Sequence, residues 1–217
     1  MELIELTGLV LRTIAVGDLD NNVYLLTAAD GSQLLIDAAE DPAAIEALLL
    51  SASADAPRTR LIGLLTTHSH HDHVGALAAL AAAHPETETF AGAADADVIT
   101  AATGVPIDRR LRHGDVVELG GVELSVIGLR GHTPGSVALA CRCPGTVTQL
   151  FTGDSLFPGG VGNTGRDPQR FASLFGDVVA RIFDVYPDDT VVWPGHGKPT
   201  TLGAERPSLG EWRTRGW

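Results

Sequence analysis

The stretch Thr67-His68-Ser69-His70-His71-Asp72-His73-Val74-Gly75 constrains this chain more than any other. His68, His70, Asp72 and His73 spell H-x-H-x-D-H. Imidazole nitrogens and a carboxylate oxygen are the donor set that suits zinc and other first-row metals. The apolar run Leu61-Ile62-Gly63-Leu64-Leu65-Thr66-Thr67 leads in and predicts a buried strand. Val74, Leu77, Ala78, Leu80 and Ala81 follow at three- and four-residue spacing and predict a helix. The candidate ligands therefore fall where a strand hands over to a helix. His68 and His70 are two apart on extended chain, so they point the same way. Asp72 and His73 fall at the expected helix start and aim at a second point nearby. One short loop can feed two metal ions. The bland alternative, a solvated turn rich in histidine, is disfavoured by the fixed spacing and the strand-helix context.

Composition bounds the rest. A length of 217 residues suits one domain, 1–217, or two tightly joined halves, with ample chain for a core. Net charge is −12, so the basic excess of a nucleic-acid binder is absent, and no nucleic-acid partner is expected. No apolar run reaches membrane-spanning length, and the acidic start Met1-Glu2-Leu3-Ile4-Glu5 is no secretory leader. Cys141 and Cys143 are too few for a disulfide framework, and a cytoplasmic location is the expectation. The pair is read as ordinary strand thiols, with a redox or metal role as the alternative.

Taken in order, residues 6–16 predict one or two strands turning near Thr7-Gly8, and residues 23–26 and 33–37 a hairpin around Asp30-Gly31. Asp41-Pro42 opens a helix with Ile45, Leu48 and Leu49 on its apolar face. A short strand at 87–91 and a helix at 94–102 follow the histidine loop, then an irregular link at 108–113. The second half predicts strands at 116–119, 122–129, 137–142 and 146–152. A glycine-rich loop spans 158–165, Asp167-Pro168 opens a long helix, and 189–193 is the last buried strand, ending at His196. The tail from Glu205 is polar, with Trp212 and Trp217 as anchors.

The histidine stretch resembles the signature of the metallo-β-lactamase superfamily, and three further segments match in the family's order. They are Gly131-His132-Thr133-Pro134-Gly135-Ser136, Thr152-Gly153-Asp154-Ser155-Leu156-Phe157 and Pro194-Gly195-His196-Gly197. Asn22-Val23-Tyr24 resembles a segment many superfamily hydrolases carry before the first hairpin. The resemblance implies an α/β fold, a four-layer αβ/βα sandwich of two mixed sheets with helices outside and metals at one edge. It implies two zinc ions, with iron or manganese possible. His68, His70 and His132 would hold the first metal; Asp72, His73 and His196 would hold the second; Asp154 would bridge them. His71 matches no ligand, and His84 and His113 stand in surface contexts. Asp37 is either an acceptor for a ligand N–H or an ordinary strand-end carboxylate.

Two divalent ions bring four positive charges, and Asp72, Asp154 and a bridging hydroxide bring three negative ones. The remainder, about one positive charge, can take up an anionic transition state. A metal lowers the pKa of bound water from 15.7 to about 7, so a nucleophile exists at neutral pH. Phe157-Pro158-Gly159-Gly160-Val161-Gly162 looks like the loop of the glyoxalase II branch, whose members hydrolyse 2-hydroxyacyl thioesters of glutathione. A thiol leaves near its own pKa of about 8.5, so such a reaction needs no strong acid. The expected protein is a small-molecule thioesterase. Asn163 stands where that branch commonly has Arg, and the sequence stops at Trp217 without the helical domain that grips glutathione in longer enzymes. A weak preference for glutathione is therefore expected. Arg130, Arg166 and Lys198, with Asn163, are the candidate contacts for the substrate's arm. The alternative on this scaffold is a persulfide dioxygenase with one iron on His68, His132 and Asp154.

Overall fold

A computed structural model describes residues 2–143 and 145–216; the expected anchor Trp217 lies outside the described residues. The first sheet contains β1 (Glu2–Leu6), β2 (Leu9–Val16), β3 (Asn21–Ala28), β4 (Ser32–Ile36), β5 (Arg60–Thr66), β6 (Glu88–Gly92) and β7 (Arg109–Leu111), side by side in sequence order. Antiparallel pairing up to β4 gives way to parallel pairing from β4 to β7. The second sheet contains β8 (Val116–Leu119), β9 (Val122–Gly128), β10 (Val137–Cys141), β11 (Gln149–Gly153), β14 (Val191–Pro194) and β15 (Thr200–Thr201), in the order β15-β14-β11-β10-β9-β8. Between β11 and β14 lies a two-strand ribbon, β12 (Leu156–Phe157) and β13 (Gly160–Val161).

Alternating side chains explain the layering. Along β3, Val23 and Leu25 face one cluster while Tyr24, Leu26 and Ala28 face another. Along β10, Val137, Leu139 and Cys141 join the cluster shared with the first sheet, while Ala138 and Ala140 face a third. The middle cluster is the seam between the sheets. The first lies under α1 (Pro42–Ser51), α2 (Leu77–Ala83) and α3 (Ala96–Thr103), and supplies Ile45, Leu77, Leu80 and Ile99. The third lies under α4 (Pro168–Val178) and the π turn Val179–Phe183, with Leu174, Val178 and Ile182. Helix, sheet, sheet, helix is the four-layer αβ/βα sandwich expected from the sequence.

The helix starts follow their capping residues. Asp41 accepts from the Ala44 amide at 3.0 Å, and Asp167 accepts from Gln169 and Arg170 at 2.8 and 3.1 Å. Each is followed by a proline, whose missing N–H costs nothing in the first turn.

Four local expectations need correction. The histidine loop does not pass straight into a helix: His71–His73 form a 3-10 turn and α2 begins at Leu77. Gly75 lies between them, where a Cβ would stand 2.6 Å from the Ala39 carbonyl. The link at 108–113 contains β7, whose two exposed arginines hide its pairing with β6. The glycine-rich stretch contains β13, held by backbone bonds that leave no side-chain pattern. The last buried strand is β14, as expected, but beyond it the chain adds the short half-buried β15, and the tail, read only as polar, carries α5 (Leu202–Glu205) and α6 (Leu209–Arg215). Trp212 on α6 is fully buried against Phe183, as an anchor should be.

The two sheets also meet closely behind the histidine loop. The Val137 amide donates to the Thr67 carbonyl at 2.9 Å, and a Cβ on Gly92 would fall 1.8 Å from the Gly135 carbonyl oxygen. Both partners are backbone, so neither can swing away. Gly92→Ala is expected to cost about 3 kcal/mol, the upper part of the usual overpacking range. Thermal unfolding should fall by about 2–4 °C per kcal/mol for a chain of this size; an unchanged midpoint would show that the sheets can separate there without cost.

Candidate metal centre

Five of the seven expected ligands follow strand ends, and Asp72 and His73 lie on the 3-10 turn. His68 and His70 follow β5, His132 follows β9, Asp154 follows β11 and His196 follows β14. The structure brings them together at one edge of the sandwich. His68, His70 and His132 form one group, Asp72, His73 and His196 another, and Asp154 reaches both. Its carboxylate oxygens lie 3.4 Å from His73 Nε2, 3.6 Å from His132 Nε2 and 3.5 Å from His196 Nε2.

The outer ring nitrogens are tied down so that the inner ones converge. His132 Nδ1 donates to the Asn163 carbonyl at 2.8 Å and His196 Nδ1 to the Leu19 carbonyl at 2.9 Å. His73 Nδ1 donates to Asp37 at 2.8 Å. His68 Nδ1 donates to Thr67 Oγ1, which donates in turn to Asp37. Asp37 therefore steers one histidine of each group, the role weighed for it from sequence. Its backbone sits at φ 60°, a strained conformation for a residue with a side chain, and the Thr67 amide fixes its other oxygen at 2.7 Å.

Three observations show that the pocket fits cations. His68 Nε2 lies 3.1 Å from His70 Nδ1 and 3.2 Å from His132 Nε2, so lone pairs face one another with nothing between. His73 Nε2 and Asp154 Oδ1 are buried and have no hydrogen-bond partner among the described residues. The charges divide in the same sense. Burial pushes His68, His70 and His132 down, keeping them neutral donors. Burial also lowers His73, but Asp37 and Asp154 outweigh it and push its pKa up to about 10. Burial would raise Asp154; the His196 and His73 rings hold it well below the usual carboxylate range. Groups that so favour protons between them favour a metal cation in the same place.

Asn21 and Asp95 carry parts of this site that sequence reasoning missed. Asn21 Nδ2 donates to Asp72 at 2.9 Å, fixing the carboxylate of the second group. Asp95 is fully buried and accepts from the Ser69 amide, the Thr133 hydroxyl and the Gly135 amide at 2.9, 2.6 and 2.7 Å. No local motif marks it, because its partners lie on loops 26 to 40 residues away. Asn22 and Tyr24, quoted above for their resemblance, brace the His196 loop: both donate to the Pro194 carbonyl, at 3.0 and 2.6 Å. Gly195 is required by proximity, since a Cβ there would meet Asp154 Oδ1 at 2.1 Å.

The other named residues are placed as follows. The His71 side chain is 90% exposed, and His84 pairs with Glu46. Arg130 is not free to meet a substrate as a lone charge: its guanidinium makes a two-point pair with Asp177. Asn163 contributes its backbone carbonyl to His132, while its side chain accepts from Gly165. Arg166 and Asn163 line a cavity of about 710 Å³ with Arg215. Lys198 is exposed past the His196 loop. A second cavity, about 630 Å³, opens beside His70 and His132 and is walled by Ser69, Gln169 and Arg170. Cys141 and Cys143 are buried free thiols, and burial pushes the Cys141 thiol up, as befits inert core residues. No helix among the described residues is long and apolar enough to cross a membrane.

Residues 16–196 match the metallo-beta-lactamase superfamily, and the chain belongs to that family. It is 37% identical over 180 residues to a hydroxyacylglutathione hydrolase of Fuscovulum blasticum, covering 82% of this chain and 62% of the relative. It is 33% identical over 184 residues to a protein of the same name from Polaromonas, covering 80% of this chain and 60% of the relative. The chain thus spans about 60% of the length of these hydrolases. Among solved structures it resembles TTHA1623 in a di-iron-bound form, with 34% identity, TM-score 0.69, and coverage of 90% and 96% of the two chains. ETHE1 from Myxococcus xanthus, 24% identical with TM-score 0.74 over 94% and 84%, shares the fold.

Proposed function

We propose that this chain is a metal-dependent hydrolase acting on thioesters of small molecules, in the manner of the glyoxalase II branch. The convergence of six ring and carboxylate ligands in two groups, with Asp154 between them, carries the reading. Divalent ions held there would supply a water deprotonated near neutral pH and a Lewis acid for the carbonyl. His68, His70 and His132 would hold the first ion, Asp72, His73 and His196 the second, with Asp154 within reach of both groups. The protein's own contribution is orientation. Asp37, Asn21, and the Asn163 and Leu19 carbonyls fix the ligands before metal arrives, and such partners commonly change metal affinity by about 10–100-fold. The likeness to hydroxyacylglutathione hydrolases supports a 2-hydroxyacyl thioester as substrate, and the open cavities on either side of His132 leave room for the thiol arm.

The test is metal analysis paired with a thioester panel. Purified protein saturated with zinc is expected to carry two ions per chain and to hydrolyse lactoyl thioesters. A single bound iron with no thioesterase activity would overturn the reading and favour persulfide oxidation. Within the panel, lactoyl-glutathione is expected to exceed the same acyl group on other thiols by less than about a hundredfold, or nearly 3 kcal/mol of transition-state binding.

A further inference from the structure

Behind the His132 loop lies a separate cavity of about 250 Å³, roomy enough for a phosphate group with attached waters, walled by Arg112, His113, Arg130, Arg181, Pro134 and Gly135. The basic residues come from three distant parts of the chain: the turn before β8, the residue pair after β9 and the π turn after α4. They are packed together, for a Cβ on Gly128 would lie 3.3 Å from both Arg181 Nη1 and His113 Cβ. Asp177 is the carboxylate that Arg130 and Arg181 share. Arg130 donates to it through Nε and Nη2, both at 2.9 Å, and Arg181 Nη2 lies 3.2 Å away. Arg181 also donates to the Gly128 carbonyl at 2.6 Å. Asp115 is turned to the backbone amide of Arg112. The Arg112 guanidinium has no partner among the described residues.

Three arginines thus line one cavity, two of them paired with Asp177 and the third, Arg112, unpaired among the described residues, in a chain whose net charge is −12. Like charges held close repel, and an anion between them offsets that repulsion. The guanidinium fork matches phosphate and carboxylate oxygens two at a time. Arg130 and Arg181 are already oriented by Asp177, so little side-chain entropy remains to be lost. Pro134 also walls the 630 Å³ cavity beside His70 and His132, so the two spaces adjoin.

The geometry points to an anion-binding site in which Arg112 holds a phosphate or carboxylate group at the far end of the substrate, past Pro134 from the metal centre, with the Asp177-paired Arg130 and Arg181 lending it their remaining N–H donors and charge. The substrate half of this assignment rests on the hydrolase reading; the anion site does not.

Two measurements on zinc-loaded protein test it. In the first, inorganic phosphate is titrated while the backbone amides of Ala94 and Gly128, which border this cavity, are followed by NMR. Saturable shifts are expected in the wild type and their loss in Arg112→Gln and in Arg112→Glu. In the second, two thioesters with the same acyl group and arm length, one ending in a phosphate and one in a neutral amide, are compared by kcat/KM. The phosphate ester should be favoured about tenfold, the preference should weaken with salt, and it should collapse toward unity in Arg112→Gln. Shifts without a preference keep the site but make its ligand a free anion, overturning the substrate assignment. Absence of both shifts and preference overturns the proposal. If no thioester is hydrolysed, the hydrolase reading fails and the titration alone decides the site.

Discussion

Asp154→Ala is expected to lower kcat by about 10²–10³-fold while leaving the fold intact, the scale seen when one preorganised electrostatic group is removed from a site. Asp154 is the group that reaches both ligand sets, through contacts of 3.4 to 3.6 Å to His73, His132 and His196. Without it each cation keeps three ligands and loses the shared one. Half of the carboxylate charge also goes, since Asp72 is the other acid among the seven expected ligands. Two cations would then repel each other with less compensation, so the zinc content of the variant should fall below two per chain. The fold should survive because no backbone bond of β11 or β14 runs through the Asp154 side chain. Asp154→Asn keeps the shape and removes the charge, and it should behave nearly as badly if electrostatics is the cause. Turnover and zinc content equal to wild type in both variants would remove Asp154 from the centre.

The architecture was legible because its signals are local and repeat. Continuous apolar runs mark β3 and β10 as buried strands, and the capping pairs Asp41-Pro42 and Asp167-Pro168 mark helix starts directly. What escaped was structure made by backbone alone or by tertiary cover. β7 has one buried residue, and β12 and β13 have two residues each. The helices of the tail form where Trp212 finds a pocket, and a polar stretch with a single tryptophan carries no helical period.

For the site, the strand-loop spacing rightly implied that His68 and His70 converge, since their nearest ring nitrogens lie 3.1 Å apart. Sequence could name Arg130 as a cation near a ligand loop. It could not show that Asp177, 47 residues later, occupies it. Asp37 remained undecided from sequence because a strand-end carboxylate has the same local pattern whether or not a histidine meets it. The φ of 60° and the three groups donating to it are visible only in three dimensions.

Asp95→Asn is expected to lower stability by about 2–3 kcal/mol and to weaken the first metal position by about 10–100-fold. Asp95 stands at the N-terminus of α3 and yet makes no side-chain cap there. Its oxygens are spent on other elements: one accepts from the Gly135 amide, the other from the Ser69 amide and the Thr133 hydroxyl. Ser69 sits between His68 and His70, and Thr133 follows His132, so one buried carboxylate sets the distance between the loops of the first ligand group. An amide cannot replace it. Both oxygens face backbone N–H donors, so whichever way Asn is turned its NH₂ points at another donor. The Ser69 and Gly135 loops should separate, and His68, His70 and His132 should lose their common focus. The second group, steered by Asp37 and Asn21, should keep its affinity. Zinc titration with a competing chelator reads the two steps separately, and chemical denaturation of the metal-free protein reads the stability. Thr133→Val should reproduce part of the loss in metal affinity and Thr133→Ser should restore it, because Ser keeps the hydroxyl that Asp95 accepts from. Stability loss with both zinc affinities unchanged would make Asp95 a packing residue with no bearing on the metal centre.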